Sequence, residues 1–395
     1  MDVESVNAAR RLRIAVLADF DGPHARSWVR WFIARGHDVH AISFYPPRAA
    51  IEGASMHALK SGDEARGGGL RAVRRTASRM PRGPARLGHA VRYRRAGLRD
   101  VVRRIDPDVL HAHYLVEHGF YGAFAGVRPY VVTAWGSDAL VEPPRDPLTR
   151  LIARWVLGRA DLVTSNNAYM AQRIVELGAP ASKVEVVVLG AERYDTERAA
   201  ESVNRRTGTP GELTIISTRA HEPLYNIAEI LEAYGRVVRA RADVRLVIAH
   251  GGSLTARLQE RARDEGGRVE FVGYLDRASF RDALASAHVF VSVPSSDGTS
   301  VALLQAMAAG AFPIVSDLPT QHEWIDDGVN GFRVPLHRPE ALSDRISRAI
   351  ADADLRHRAA DINLRSVEER GLNETQMARM EDLYHQLLQG RASRG

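Results

Sequence analysis

The stretch HVFVSVPSSDGTSVALLQAMAAGAFPIVSDL, His288–Leu318, decides how this 395-residue chain is read. A short β-branched and aromatic run leads into the turn Pro294-Ser295-Ser296-Asp297-Gly298. A helix follows and ends at Gly310, and a second β-branched run follows that. Val301, Leu304, Met307 and Ala308 recur at helical spacing and are expected to face a sheet. Thr299 or Ser300 suits the N-cap, and Gly310 sits where a left-handed cap is wanted. Strand, Gly-containing turn and helix N-terminus together make an anion site. The amides of Gly298, Thr299 and Ser300 meet the positive end of the helix dipole, and Gly298 lets a diphosphate approach the backbone. Gln305 lies roughly 7 Å along the helix, about the reach from a diphosphate to a ribose. The competing reading is a capped helix carrying an exposed glutamine.

The same alternation of short apolar runs and longer amphipathic stretches continues outward in both directions, which predicts an α/β fold with parallel sheets. Strands are expected at residues 13–18, 38–43, 109–112, 129–133, 161–164 and 183–188. A second set is expected at 213–217, 244–249, 269–271, 288–292 and 312–315. The polar stretch Ala191–Glu212 reads as a linker. Two Rossmann-like doubly wound domains are therefore predicted, 1–195 and 196–372, with a helix over 373–395 returning to the first domain. Ligands of such sheets sit beyond the carboxyl ends of the strands, so a cleft between the two halves is expected. The residues following the strands are small, polar or ionisable, including Gly22 and His24, His113, Trp135 and Asp138, Arg219, Gly251, Gly273 and Tyr274.

Composition narrows the function classes. Apolar residues make up 45% and charged residues 26%, as in an ordinary globular protein, and no run is long and apolar enough to span a membrane. The first residues, MDVESVNAARR, lack a signal-peptide core, so a cytoplasmic protein is expected. With no cysteine, thiol catalysis and Cys-ligated metal sites are excluded. No GxxxxGK[ST] loop is present, and ADFDGPH stands where a dinucleotide fingerprint would follow the first strand. Despite the formal charge of +6, no nucleic-acid-binding module is recognisable. Asp19-Phe20-Asp21 and Asp106-Pro107-Asp108 spell D-x-D but read as a loop and a turn, so neither a metal nor a cofactor is expected. Between Arg66 and Arg104 stand thirteen arginines and one acid, Asp100. That stretch suits peripheral contact with an anionic inner-membrane surface, or with an anionic acceptor. It also suits a solvated face in an arginine-biased chain.

The His288–Leu318 segment resembles the nucleotide-sugar site of family 4 glycosyltransferases, which are retaining enzymes of the two-Rossmann-domain GT-B type. Their signature is a carboxylate, a Gly-containing turn and a second carboxylate eight residues on. Asp297 matches the first, and Gln305 stands at the second. The stretch His322-Glu323-Trp324-Ile325 and Asp327–Phe332 is similar to the same family. So is TIISTRAHEPLYNI, where Arg219 matches the diphosphate-clamping arginine and Tyr225 stands at the following lysine. DFDGPHARSW resembles the family's first loop, which places Gly22 and His24 at the sugar or acceptor. In VVTAWGSD, Trp135 occupies the place of a histidine that faces the reacting sugar, and His113 and Asp138 are the nearest substitutes. The resemblance implies a metal-independent transferase moving a sugar from a nucleotide-sugar donor to a hydroxyl acceptor with retention. Arg219, Asp297, His113 and Asp138 would serve catalysis. Gly251, Gly273, Tyr274, Gly298–Ser300 and Gln305 would hold the donor. The departures at 135, 225 and 305 keep open a degenerate sugar-nucleotide-binding protein, and an epimerase is the other alternative.

Overall fold

A computed structural model describes residues 10–59, 97–193, 195 and 212–392. Thirteen strands are described: β1 Arg13–Leu17, β2 Asp38–Ser43, β3 Ser55–Ala58, β4 Val109–His113, β5 Tyr130–Thr133, β6 Leu162–Ser165, β7 Val184–Val186, β8 Leu213–Ser217, β9 Val244–Ala249, β10 Arg268–Gly273, β11 Val289–Ser292, β12 Phe312–Ser316 and β13 Phe332–Val334. They form two sheets, ordered β3-β2-β1-β4-β5-β6-β7 and β10-β9-β8-β11-β12-β13. Every pairing is parallel, for example Ile14 opposite Val109 and Val289 opposite Ile215. Strand order reverses between β1 and β4 in the first sheet and between β8 and β11 in the second. Those two points are where loops diverge to opposite faces and leave a crevice.

Both sheets are covered on both faces, so their central strands are largely apolar rather than alternating. β4 and β11 are buried at every position. The two strands absent from the sequence reading, β3 (SMHA) and β13 (FRV), are short edge strands. Each pairs with one neighbour only, so neither carries the continuous apolar run that marks a central strand.

The chain divides into two compact units. The first comprises residues up to Asn166, Met170–Val187 and Arg379 onward; the second comprises Asn167–Tyr169 and Val188–Ala378. In the first unit, Leu17, Leu110, Val132, Val156 and Leu157 belong to one core. Part of the last helix, Asn373–Ala392, completes this unit. Its Tyr384 hydroxyl meets His111 Nδ1 at 2.5 Å, and its Glu381 holds His37 at 2.8 Å. In the second unit Ile215, Leu246, Val291 and Ile314 form the core with helix Ile227–Ala240. Helix Val301–Ala308 contacts β11, β12 and helix Ala353–Arg370, which explains why it is apolar nearly all round: Leu303, Leu304, Ala306, Met307 and Ala308 are buried.

Candidate active site

In the second unit the β8/β11 reversal builds a charged corner. β8 delivers Thr218 and Arg219, and β11 delivers the loop Val293–Ser300. Arg219 Nη2 donates to Asp297 Oδ2 at 2.8 Å, and Nη1 donates to Ser300 Oγ at 2.5 Å. Both partners of the ion pair are largely buried, with side-chain exposures of 12% and 18%. Burial raises the Asp297 pKa, opposed by the guanidinium and by the Gly298 N–H. Gly298 thus directs its amide at the neighbouring carboxylate. The Arg219 guanidinium lies 4.5 Å from the Tyr225 ring, a cation–π contact at the position where the family pattern has lysine. Arg219 Nε–H is buried and has no partner, an unspent donor at the corner.

Ser300 is the N-cap of helix Val301–Ala308, accepting from Leu303 N, and Gly310 ends it with φ of 74°. The loop carbonyls are tied from outside. Asn226 donates to Val293 O, Ser316 to Pro294 O, Thr320 to Asp297 O and Gln321 to Gly298 O. Thr299 Oγ1 accepts from Trp324 Nε1 at 3.2 Å. These ties fix the turn ahead of the helix before any ligand arrives, the preorganisation an oxyanion-type site needs.

Gln305 hydrogen-bonds Asp195. Asp195 also accepts from Arg281 Nε and from Glu192 N, both at 2.9 Å. The sequence reading did not include Asp195, which lies in a polar stretch with no motif of its own. Gly251, Gly273 and Tyr274 gather at the ends of β9 and β10. The Tyr274 ring, 72% exposed, lies 4.4 Å from that of His250. Gly273 has φ of 68°, and a Cβ on Gly251 would sit 3.1 Å from the Tyr274 ring. His221, also outside the sequence reading, joins this loop to the Arg219 loop through its backbone N–H to Gly251 O and its ring to Thr255.

The β1/β4 reversal of the first unit carries a different chemistry. His24 and Trp135 stack at 5.4 Å with planes 17° apart. Trp135 lies 5.4 Å from His113, and Trp28 meets His113 edge-on at 4.9 Å. Gly22 caps the helix Pro23–Ala34, and open space lies where its Cβ would stand. His113 is 3% exposed with neither ring nitrogen partnered, and burial pulls its pKa well below the usual value. His111 is likewise lowered to about 3, so both rings are neutral at physiological pH. Asp138 is fully buried behind the turn. Its Oδ1 accepts from Trp135 N and Gly136 N, and its Oδ2 from Leu115 N, at 2.7–3.0 Å. Both oxygens therefore serve the backbone that presents Trp135. Burial still raises its pKa to about 6.

Three aspartates of the D-x-D pairs accept from backbone N–H groups. Asp19 accepts from Asp21 N, Asp21 from Arg48 N, and Asp108 from Arg13 N. Among the described residues no group of three His, Cys, Asp or Glu is placed to hold a metal. Most of the Arg66–Arg104 stretch lies outside the described residues, which resume at 97.

Two parallel doubly wound sheets with a charged corner at the second reversal define the GT-B class of glycosyltransferase folds. The chain is similar in structure to sucrose-phosphate synthase from Thermosynechococcus elongatus, with a TM-score of 0.78 and 16% identity over 96% of this chain and 100% of that one. It is also similar to Anabaena HepE in complex with UDP and glucose, with a TM-score of 0.73 and 15% identity over 95% and 100%. The chain belongs to the group 1 glycosyltransferases. The model described as "Glycosyl transferases group 1" matches residues 200–363, and "Glycosyl transferase 4-like domain" matches 22–190. Among curated relatives, a Mycobacterium tuberculosis phosphatidyl-myo-inositol mannosyltransferase is 31% identical over 170 residues, which span 40% of this chain and 43% of the relative. An N-acetyl-alpha-D-glucosaminyl L-malate synthase from Bacillus anthracis is 21% identical over 73% of this chain and 77% of that one.

Proposed function

We propose that the chain transfers a sugar from a nucleoside diphosphate sugar to a hydroxyl acceptor, with retention of anomeric configuration, on the cytoplasmic side of the cell. The observation that carries this reading is the Arg219–Asp297–Ser300 corner, where a guanidinium with an unspent N–H stands at a helix N-terminus. Charge builds on the departing diphosphate during transfer. A fixed guanidinium and helix dipole stabilise that charge more than they stabilise the ground state. Gln305 takes the ribose, and Gly251, Gly273 and Tyr274 take the rest of the nucleotide. The His24–Trp135 rings and neutral His113 meet the sugar or acceptor. The nucleotide sugar is the co-substrate, and this reading takes no metal or cofactor; Asp19, Asp21 and Asp108 of the D-x-D pairs are engaged with backbone N–H groups. An anionic membrane contact through Arg66–Arg104 belongs to the same reading.

Two relatives that act on mannosyl and N-acetylglucosaminyl groups, and a neighbour that holds UDP and glucose, support a nucleoside diphosphate donor. The test is binding of UDP and GDP followed by thermal unfolding. A nucleotide at a hundred times its Kd adds about 2.7 kcal/mol to the folded state, so the melting temperature rises. Arg219→Ala should abolish most of that rise while its own unfolding stays cooperative. An equal rise in the variant would place the diphosphate elsewhere. Conversion of a nucleotide sugar to its epimer without acceptor would select the epimerase alternative.

A further inference from the structure

Three consecutive residues at the end of β8 each keep a buried polar atom without a hydrogen-bond partner: Ser217 Oγ, Thr218 Oγ1 and Arg219 Nε. Nowhere else among the described residues do three neighbours do so. Ser217 is fully buried and Thr218 is 7% exposed. A buried hydroxyl is normally satisfied, because one left unpaired forfeits the hydrogen bonds it made to water. These orphans stand at the carboxyl end of a parallel strand, beside a reversal of strand order, where ligands of such sheets bind.

The two hydroxyls do not share a face. Side chains alternate along a strand. Ile215 belongs to the core built with helix Ile227–Ala240, and Ser217, two residues on, turns to that same side. Ile216 is buried outside that core, and Thr218 continues its side. Because strand order reverses between β8 and β11, right-handed crossovers set the helices that follow them on opposite faces. The helix after β8 is Ile227–Ala240, and the helix after β11 is Val301–Ala308, which contacts β11 and β12. Thr218 therefore shares its face with the N-terminus of Val301–Ala308, where Arg219 already meets Ser300 and Asp297.

We propose that the Thr218 hydroxyl is a further donor to the diphosphate of the nucleotide sugar, joining Arg219 and the helix N-terminus. The inference rests on the proposed transfer reaction and adds a contact residue to it. Tyr225 stands beside Arg219 where the family pattern has a second cation, so the diphosphate must be met partly by neutral donors. A threonine O–H serves a phosphate oxygen and, being uncharged, costs less to keep buried in the empty site than another cation would. A water on Thr218 would satisfy the same hydroxyl, and the experiment separates the two.

The experiment is calorimetric titration of the full chain with UDP, GDP, ADP and dTDP, and displacement of the tightest of them by inorganic pyrophosphate. Thr218→Val keeps the branched shape and removes only the hydroxyl. It should weaken nucleotide and pyrophosphate alike by about tenfold, the worth of a hydrogen bond to a charged acceptor. Its melting temperature without ligand should stay level or rise, because a buried polar atom without a partner has gone. Thr218→Ser, which keeps the hydroxyl, should retain most of the affinity, and Ser217→Ala, on the core side, should bind as the wild type does. Wild-type affinity in Thr218→Val would assign the hydroxyl to water and overturn the proposal. So would an equal loss in Ser217→Ala, or a loss for the nucleotide that pyrophosphate does not share. Binding of none of the four nucleotides by the wild type would instead remove the donor reading, and this inference with it.

Discussion

Two buried aspartates, each just beyond a strand end, do opposite things in the two units. Asp297 faces the Arg219 guanidinium at the second sheet's reversal, whereas Asp138 faces three backbone N–H groups at the end of the first sheet's β5. Burial raises both pKa values. What distinguishes them is the partner. A carboxylate paired with a side-chain cation belongs to a corner whose charges a ligand can meet. A carboxylate clasping the backbone is part of the frame. The second unit therefore presents charge, and the first presents neutral rings held in place by a hidden acid.

Removing the cation from the charged corner is the largest expected perturbation. Arg219→Ala should lower turnover by about 10²–10³, the range found when one preorganised donor to a developing oxyanion is lost. Arg219→Lys should recover part of that rate, because a lysine keeps the charge but loses the fork that spans Asp297 and Ser300. A radiolabelled transfer assay reads both. Turnover within threefold of wild type in the alanine variant, about 0.7 kcal/mol, would remove the corner from the reaction.

The hidden acid predicts an effect on stability instead. The folded state lifts the Asp138 pKa from 3.8 to about 6 and so holds its proton more tightly than the unfolded chain does. Its contribution to stability is full below pH 3.8 and is lost as pH rises through about 6. That lift corresponds to about 3 kcal/mol. Asp138→Asn should remove this slope. Urea midpoints at pH 4.5 and 7.5 would then differ less in the variant than in the wild type. An unchanged pH dependence would mean the carboxylate titrates normally.

The ring face of the first unit comes next in size. Trp135→Ala should raise the acceptor KM about thirtyfold, ~2 kcal/mol, a typical cost of deleting a tryptophan anchor. Nucleotide affinity should not change. A fall in donor affinity of the same size would put Trp135 with the nucleotide and dissolve the contrast between the two reversals.

How legible these regions were in sequence follows from their physics. The central strands could be read because strands buried on both faces must be continuously apolar, as VLHAH and VFVS nearly are. The edge strands Ser55–Ala58 and Phe332–Val334 carry no such pattern, because their register comes from β2 and β12. Arg219, Asp297 and Ser300 stood at strand ends and a helix start, where local rules apply, and the structure brings them together. Tyr225 was legible as the residue standing at the family's lysine position after Arg219, but its cation–π contact was not, because a tyrosine there names no partner. Asp195 beside Gln305 was not legible, because that pairing joins segments distant in sequence and Asp195 lies in no motif.

Gln305 sharpens the comparison last and most finely. Where the family pattern has a second carboxylate, this chain has an amide hydrogen-bonded to the Asp195 carboxylate, itself held by Arg281. Burial raises the Asp195 pKa, and the Arg281 and Gln305 contacts oppose that rise. Glutamate at 305 would set a second negative charge against Asp195 in a largely buried place, which forces one of the two to take up a proton or to turn away. Gln305→Glu should therefore weaken nucleoside diphosphate binding by about tenfold in calorimetry, ~1.4 kcal/mol. Adding Asp195→Asn restores one charge and one amide in exchanged positions. The double variant should then bind within about threefold of wild type, a coupling that only neighbouring residues show. Independent effects of the two substitutions would mean that the charge at this end of the proposed nucleotide site is not shared between them.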